Sequence, residues 1–164
     1  MNSIFKRRSI RKYLDKKVEK EKIDLLLKAA MNAPSAGNQQ PWEFYVIEDK
    51  DMIEKLSHCS PYASCLKNAP LAIVPVYRKE GLRFEEYAHI DMSICCENMW
   101  LEATELGLGC VWLGKAPIKE RMDKDNEIID IDEGLESFAI MAIGYSDEEK
   151  EDKDYYDINR IHYK

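Results

Sequence analysis

The sequence predicts an α+β fold in which helices flank a central β-sheet. Apolar residues recur at three- and four-residue steps over 18–32 and over 85–106, which is the spacing of a buried helix face. Two short runs, 71–77 and 138–145, are almost wholly apolar, as strands covered on both faces are. The 164 residues suffice for a hydrophobic core, so we expect a single domain over 1–164.

Local signals divide the first half of the chain into its elements. The helix over 18–32 must end before Pro34, because proline disfavours helical backbone in the residue that precedes it. Residues 43–48 are rich in aromatic and β-branched side chains and form the first strand. Two short helices are expected to follow, at 49–56 and at 61–67.

The strand at 71–77 and the helix after it form the predicted centre of the fold. Pro75 argues for a strand end or a sheet edge, because proline cannot donate to a β-ladder. The helix over 85–106 is apolar on more than one side and is therefore buried from more than one direction. A core face plus a subunit face explains this, as does the central helix of a monomer. Gly107 then ends the helix.

The second half of the chain is predicted to hold shorter elements. We expect strands at 110–113 and 138–145, a short helix at 117–122 and a charged surface segment at 124–132. An acidic stretch, 147–154, reads as a solvated tail. The apolar residues after it are expected to dock on the sheet or on a partner subunit. They are Tyr155, Tyr156, Ile158, Ile161 and Tyr163.

Composition excludes several classes of function. The formal net charge is −7, so the chain lacks the basic footprint that nucleic-acid binding requires. No apolar run approaches the length of a membrane span and no signal peptide is visible, so we expect a cytoplasmic protein without membrane contact. The odd number of cysteines, five, the adjacent pair Cys95 and Cys96 and the lack of a visible secretion signal favour reduced thiols. No CxxC occurs, so neither a thioredoxin-type motif nor a zinc knuckle is supported. The three histidines lack ligand spacing, so no metal is expected.

A polar, turn-rich loop, 33–42 (APSAGNQQPW), connects the first helix to the first strand. Its prolines fix φ and Gly37 supplies a positive φ, so the backbone is stiff. Ser35, Asn38 and the two glutamines offer groups that both donate and accept hydrogen bonds. Such a loop suits the rim of a flat heteroaromatic ligand such as a flavin ring. An ordinary helix-to-strand connection has a similar composition.

A basic arm, 6–13 (KRRSIRKY), lies near the start of the chain. The guanidinium groups of Arg7, Arg8 and Arg11 can bind phosphate oxygens in pairs, and the Ser9 hydroxyl adds a further bond. Positive charge concentrated against an acidic background is typical of a site for a small anion. The alternative is a solvated basic arm without a ligand.

Two later segments complete a set of four. They are 107–114 (GLGCVWLG) and 142–145 (AIGY). In kind and in order, the arm, the loop and these two segments resemble the nitroreductase family of FMN-dependent oxidoreductases, over nearly the whole chain. The resemblance implies a three-layer α/β/α fold with a mixed, mainly antiparallel central sheet. It also implies a homodimer with two flavin sites at its interface.

The resemblance assigns FMN as the cofactor and implies which residues bind it. They are Arg7, Arg8, Ser9, Arg11, Pro34, Ser35, Asn38, Leu113 and Gly114. The first four would hold phosphate and ribose, the next three would reach the ring of the other subunit's flavin, and the last two would lie beside its N5 edge. Relatives often add a basic residue near the C-terminus. This chain has DYYD at 154–157, so Lys153 or Arg160 would have to substitute.

The implied activity is hydride transfer from NADH or NADPH, through FMN, to a small nitroaromatic, quinone or similar electron-poor acceptor. No catalytic side chain is assigned, because the flavin carries the chemistry. Two alternatives stay open at this point. One is a specialised flavin reaction on the same fold, and the other is a flavin-binding protein without turnover.

Overall fold

The computed structural model describes residues 3–164, and its helices and strands alternate around one sheet. The helices are α1 (Ser3–Lys6), α2 (Lys20–Met31), α3 (Lys50–Ser57), α4 (Ala88–Glu105) and α5 (Lys119–Ile129). The strands are β1 (Trp42–Ile47), β2 (Leu71–Arg78), β3 (Gly109–Gly114), β4 (Leu135–Ser137) and β5 (Ala139–Gly144). Four single 3₁₀ turns occur at Ala36–Asn38, Ser64–Asn68, Glu85–Tyr87 and Ile158–Arg160.

The sheet has the order β1-β2-β5-β3, with β4 also paired to β2. All of these strand pairs are antiparallel. Within residues 3–164, parallel pairing is confined to an isolated bridge between Ser9 and Cys110. The predicted α+β class with a mainly antiparallel sheet is therefore confirmed.

Two apolar clusters occupy the two faces of the sheet. Residues from α2 and α4 pack on one face, and residues from α3 and the turn after it pack on the other. Alternate residues of β2 enter opposite clusters, as the period of a strand requires. Every residue of β5 is buried, and β2 is buried up to Tyr77. The layers thus form a helix–sheet–helix stack.

Pro75 does not mark a strand end or a sheet edge, because β2 continues to Arg78 between β1 and the β4–β5 segment. Pro75 has no N–H to donate, and the chain opposite it is interrupted at the same level. Phe138 separates β4 from β5, and its own N–H donates to the Pro75 carbonyl across 3.0 Å. A local break in the partner strand therefore lets a proline occupy the middle of the sheet.

Helix α4 begins and ends close to its predicted bounds. Its C-terminus forms a Schellman motif, in which the Leu108 N–H donates to the Ala103 carbonyl across 2.8 Å. Gly107 has a φ of 71°, which a residue with a side chain rarely adopts. Ile90 on the outer side of α4 is 54% exposed, so one flank of this helix is not covered within the chain.

The prediction that 124–132 is a charged surface segment is wrong at its inner face. Helix α5 extends to Ile129, and it carries the fully buried carboxylate of Asp125. This carboxylate forms an ion pair with buried Lys115 at 2.9 Å. The sequence gives no local signal that Asp125 is buried, because its partner Lys115 lies ten residues earlier and outside the helix.

The C-terminal aromatic residues are exposed. Tyr155, Tyr156 and Tyr163 are 75%, 70% and 86% accessible, so they do not dock on the sheet of their own chain. Docking on a partner subunit stays a prediction. No helix within residues 3–164 combines the length and the apolar character needed to cross a bilayer.

Candidate functional site

The basic arm lies along the exposed edge of β3. The Ile10 N–H donates to the Cys110 carbonyl across 3.0 Å, so the backbone of the arm runs beside this strand. A Cβ on Gly109 would lie 2.6 Å from Cγ2 of Ile10. The glycine at this position is therefore what lets the arm approach the strand so closely.

Arg7 lies between the arm and α4. Its guanidinium stacks 4.2 Å from the centre of the Trp100 ring, and its Nε is 3.5 Å from the Glu97 carboxylate. Burial raises the pKa of Glu97, and the nearby Arg7 charge opposes that rise. These contacts hold the Arg7 side chain in one orientation at the start of the arm.

Arg8 is tethered by backbone carbonyls rather than by a helix. Its Nη1 donates to the carbonyls of Phe5 and Arg7 at 3.0 and 2.7 Å, and its Nε donates to the Glu151 carbonyl at 2.8 Å. Nη2 lies 3.4 Å from Asp152. The side chain thus joins the arm to the acidic stretch after β5 and is held at the floor of a groove.

The groove between the arm and the acidic stretch has a volume of about 410 Å³. Its cationic lining residues are Arg7, Arg8, Arg11, Lys150 and Lys153. Ser9, Glu151 and Tyr155 also line it. The lining has five cations and one carboxylate, and three of the cations also pair with Glu97, Asp152 or Glu148. The groove is therefore a candidate site for an anion, although the whole chain is acidic.

Lys150 is a groove residue that sequence reasoning missed. The sequence places Lys150 in a solvated acidic tail. In the structure, its Nζ donates to the Ser9 carbonyl across 2.6 Å. Of the two candidates for a C-terminal phosphate contact, Lys153 lines the groove. Arg160 is not among the lining residues and pairs with Asp157 at 3.4 Å. A basic residue within the acidic run was the only sequence signal available for Lys150.

A second cleft has a volume of about 500 Å³, and Arg11 lines both this cleft and the groove. Leu113 and Gly114 lie in this second cleft, together with Trp112. An added Cβ on Gly114 would meet no heavy atom closer than Trp112 Nε1, at 3.8 Å. The end of β3 is therefore open toward the cleft.

The backbone of β3 offers hydrogen-bonding groups to this cleft. Backbone groups in an antiparallel ladder point alternately toward and away from the partner strand. The Cys110 carbonyl points away from β5, since it accepts from Ile10. Gly114 and Trp112 share this parity, so their N–H and C=O groups also point outward. The outer edge of β3 thus presents unpaired backbone groups beside the basic groove.

The polar loop is stiff, as its composition predicts. Gly37, Asn38 and Gln40 all have positive φ, at 54°, 56° and 46°. The Ser35 hydroxyl accepts from the Gln40 N–H across 3.0 Å. Pro34 and Asn38 are exposed, and Ser35 is half-buried.

A buried carboxylate holds this loop on α4. Asp91 is 2% exposed, and its two oxygens accept from the Ala36 N–H at 2.9 Å and from Gln39 Nε2 at 2.7 Å. Sequence reasoning missed Asp91, which it did not distinguish from the other charged residues of the helix over 85–106. The Gln39 amide also bonds both backbone groups of Phe84, at 3.0 Å each.

Within one chain, the loop and the arm lie against different parts of α4. The loop is bound at Asp91 and the arm at Trp100. These residues are nine positions apart, which is about 14 Å along a helix axis. The predicted residues therefore form two groups, the arm with the end of β3 in one and the loop in the other.

Comparison with known proteins gives one family and close structural neighbours. The model of the nitroreductase family matches residues 4–145. A protein of Archaeoglobus fulgidus, provisionally named an NADH dehydrogenase/NAD(P)H nitroreductase, is 40% identical over 99% of this chain and 95% of its own length.

Two solved structures are similar over nearly their whole length. A protein of Clostridium acetobutylicum, provisionally named an NADH oxidase, superposes with a TM-score of 0.94 at 50% identity, over 98% of this chain and 97% of the other. An FMN-dependent nitroreductase of Clostridium difficile gives a TM-score of 0.91 at 38% identity, over 99% and 97%.

Proposed function

The chain belongs to the nitroreductase family, and on that premise we propose that it forms one domain over residues 1–164 and binds FMN between its basic groove and the open end of β3. It is an FMN-dependent oxidoreductase that takes hydride from NADH or NADPH. The observation that supports the proposed location is that Arg11 lines both clefts. One cleft suits a phosphate, and the other suits the edge of a flat ring.

The phosphate of FMN lies in the groove of about 410 Å³ in this proposal. Carbonyl acceptors fix Arg8 and Lys150 beside the groove, and their carboxylate partners, Asp152 and Glu148, lie at the longer distances of 3.4 and 3.5 Å. A phosphate would replace these two carboxylates as the partner of the two cations. Charge-assisted bonds from guanidinium and ammonium groups to phosphate are the strong class of hydrogen bond. Ser9 adds a hydroxyl and Lys153 a further cation. Arg160 does not line the groove and pairs with Asp157, so it has no part in phosphate binding in this proposal.

The ring of FMN lies along the outer edge of β3. The outward N–H of Gly114 can donate to N5 or to the adjacent carbonyl oxygen of the ring, and the absence of a side chain permits the approach. Bound FMN supplies hydride transfer, which no side chain of this protein provides. The outward backbone N–H groups of β3 and the Arg11 guanidinium would hold the ring and would favour its negatively charged form.

The polar loop completes the site of a second copy. Pro34, Ser35 and Asn38 lie on the other group of residues, about 14 Å along α4 from the arm, so a homodimer brings them to the partner's flavin. Exposed apolar residues favour this assembly. Ile90 on α4 is 54% exposed, and Ile4 and Phe5 on α1 are 66% and 67% exposed.

The acceptor in this proposal is a small nitroaromatic, a quinone or a related electron-poor compound. An open cleft that exposes one edge of the ring admits the pyridine nucleotide and the acceptor in turn. Initial-rate plots at several NADPH concentrations are therefore expected to give parallel lines. Intersecting lines would show that both substrates bind together and would contradict a shared cleft.

The test of FMN binding is the visible absorption spectrum of the purified protein before and after addition of NADPH. We expect a yellow protein that NADPH bleaches under nitrogen. The test of the ring position is Gly114→Val, which has room within the fold but fills the open end of β3. This variant is expected to fold and to bind FMN more weakly. Wild-type affinity in Gly114→Val would place the ring elsewhere.

A further inference from the structure

A buried polar cluster lies behind the end of β3, and the proposed reaction does not use it. It contains Cys59, Lys115, Asp125 and Ser137, none of which is more than 5% exposed. Lys115 Nζ is 2.9 Å from Oδ1 of Asp125 and 2.7 Å from Sγ of Cys59. The Ser137 hydroxyl donates to Oδ2 of Asp125 across 3.0 Å. A lysine amine and a cysteine thiol thus share one enclosed site.

The separation of the nitrogen and the sulfur is the informative quantity. At 2.7 Å, the contact is shorter than an ordinary hydrogen bond to sulfur, which is a large and weak acceptor. Two atoms that are bonded to the same oxygen lie at a similar separation. A direct S–N bond would require a much closer approach. The cluster therefore has the geometry of an amine and a thiol that one oxygen atom can bridge.

We propose that Cys59 and Lys115 form a covalent N–O–S cross-link on exposure to dioxygen. The S–H bond and one N–H bond of the neutral amine are broken, and S–O and N–O bonds form. Sulfur and nitrogen each lose two electrons, and the two oxygen atoms of dioxygen each gain two. One oxygen atom becomes the bridge, and the other leaves as water with the two hydrogens.

The surrounding groups prepare both reactants. Nitrogen reacts as a neutral amine, so the extra proton of the ammonium must leave, and the Asp125 carboxylate lies 2.9 Å away to receive it. The hydroxyl of Ser137 fixes the other carboxylate oxygen, which keeps Oδ1 directed at Nζ. Burial raises the pKa of Cys59, although the Lys115 charge opposes the rise, so sulfur carries its hydrogen into the reaction.

Cys59 is only 4% exposed, but it lies in the wall of a cleft of about 620 Å³, and Ser60 and Arg121 line both this cleft and the one at Gly114. Dioxygen therefore has only this wall to cross on its way to the cluster. Because Lys115 follows Gly114, the cross-link ties the end of β3 to the segment after α3. The cross-link does not depend on the proposed flavin chemistry, since it needs only the cluster and dioxygen.

The experiment compares two samples of the purified full-length protein. One is kept in air-saturated buffer, and the other is kept anaerobic with dithiothreitol. Intact mass and non-reducing peptide mapping are measured on both. We expect the aerated sample to contain a linked pair of peptides, one with Cys59 and one with Lys115, that is heavier by one oxygen and lighter by two hydrogens. Dithiothreitol should separate the two peptides.

Three variants make the result specific. Cys59→Ser and Lys115→Arg should lose the linked pair, and Lys115→Arg keeps a positive charge opposite Asp125. Cys65→Ser is the matched control, because Cys65 is the more accessible thiol and the one lysine–thiol hydrogen bond within residues 3–164 is that of Lys115 to Cys59. It should keep the linked pair. Oxygen added to Cys59 without a link, a linked pair that lacks the oxygen, or no mass change would each overturn the proposal. If Lys115→Arg does not fold, Cys59→Ser alone decides the attachment.

Discussion

Asp91 is the residue whose replacement tests how the polar loop is held. Its buried carboxylate accepts from Ala36 and Gln39, at 2.9 and 2.7 Å. A hydrogen bond to a charged group contributes about 1.5–3 kcal/mol. Asp91→Asn keeps one acceptor oxygen, but it turns an amide toward the Gln39 amide, so one of the two bonds is lost. We therefore expect the free energy of unfolding to fall by about 1.5–3 kcal/mol.

Calorimetry measures this change directly. For a chain of this size, 1 kcal/mol lowers Tm by about 2–4 °C, so Asp91→Asn should melt about 3–12 °C lower. FMN affinity should fall as well, because Ser35 and Asn38 lose their fixed position. Glu86→Gln is the matched control, since Glu86 is an exposed carboxylate just before α4. If Asp91→Asn melts at the temperature of Glu86→Gln, the buried carboxylate does not hold the loop.

Further predictions concern the arm and its contacts. Arg8→Ala removes a charge-assisted contact of about 1.5–3 kcal/mol, so the Kd for FMN should rise by about 10- to 150-fold in a fluorescence titration. An unchanged Kd would leave the arm as a solvated surface segment. Gly109→Ala places a Cβ 2.6 Å from Ile10, and overpacking should lower the free energy of unfolding by about 1–3 kcal/mol in a urea titration. Burial alone would raise the pKa of Glu148. The N–H groups of Arg11 and Lys12 and the charge of Lys150 outweigh burial, so the pKa is lowered from its usual value. A lowered pKa contributes stability above the ordinary value of the carboxyl and loses it as pH falls through the folded-state pKa. Glu148→Gln should therefore flatten the acid side of a Tm-against-pH curve, and a curve parallel to the wild type would contradict this.

The sequence predicted the elements that carry a local signal. Helix α2 and strand β1 lie within two residues of their expected bounds, because apolar period and β-favouring side chains are read over short windows. The prediction from Pro75 was wrong because the break at Phe138, between β4 and β5, leaves no acceptor opposite the proline that needs an N–H. This break lies some sixty residues later in the chain. A compensation on another strand leaves no trace near the proline.

The candidate site divides in the same way. The sequence could single out the arm and the loop because a phosphate site and a stiff turn each require particular residues close together in the chain. That these two segments bind FMN stays a prediction. Asp91 and Lys150 were missed, since each acts on a segment more than fifty residues away. The buried pair of Lys115 and Asp125 was missed for a related reason, as charged residues on a polar helix usually face solvent.

Helix α4 sets the distance between the loop and the arm, the two segments that we propose bind the ligand. One end fixes the loop and the middle fixes the arm, so their relative placement depends on helical phase. A residue inserted between these two anchors would turn one of them by about 100° relative to the other and shift it by about 1.5 Å. Length changes are therefore far less tolerable within this helix than in the exposed segment after β5. The spacing of Asp91 and Trp100 becomes a quantity that a redesigned version of this protein has to keep.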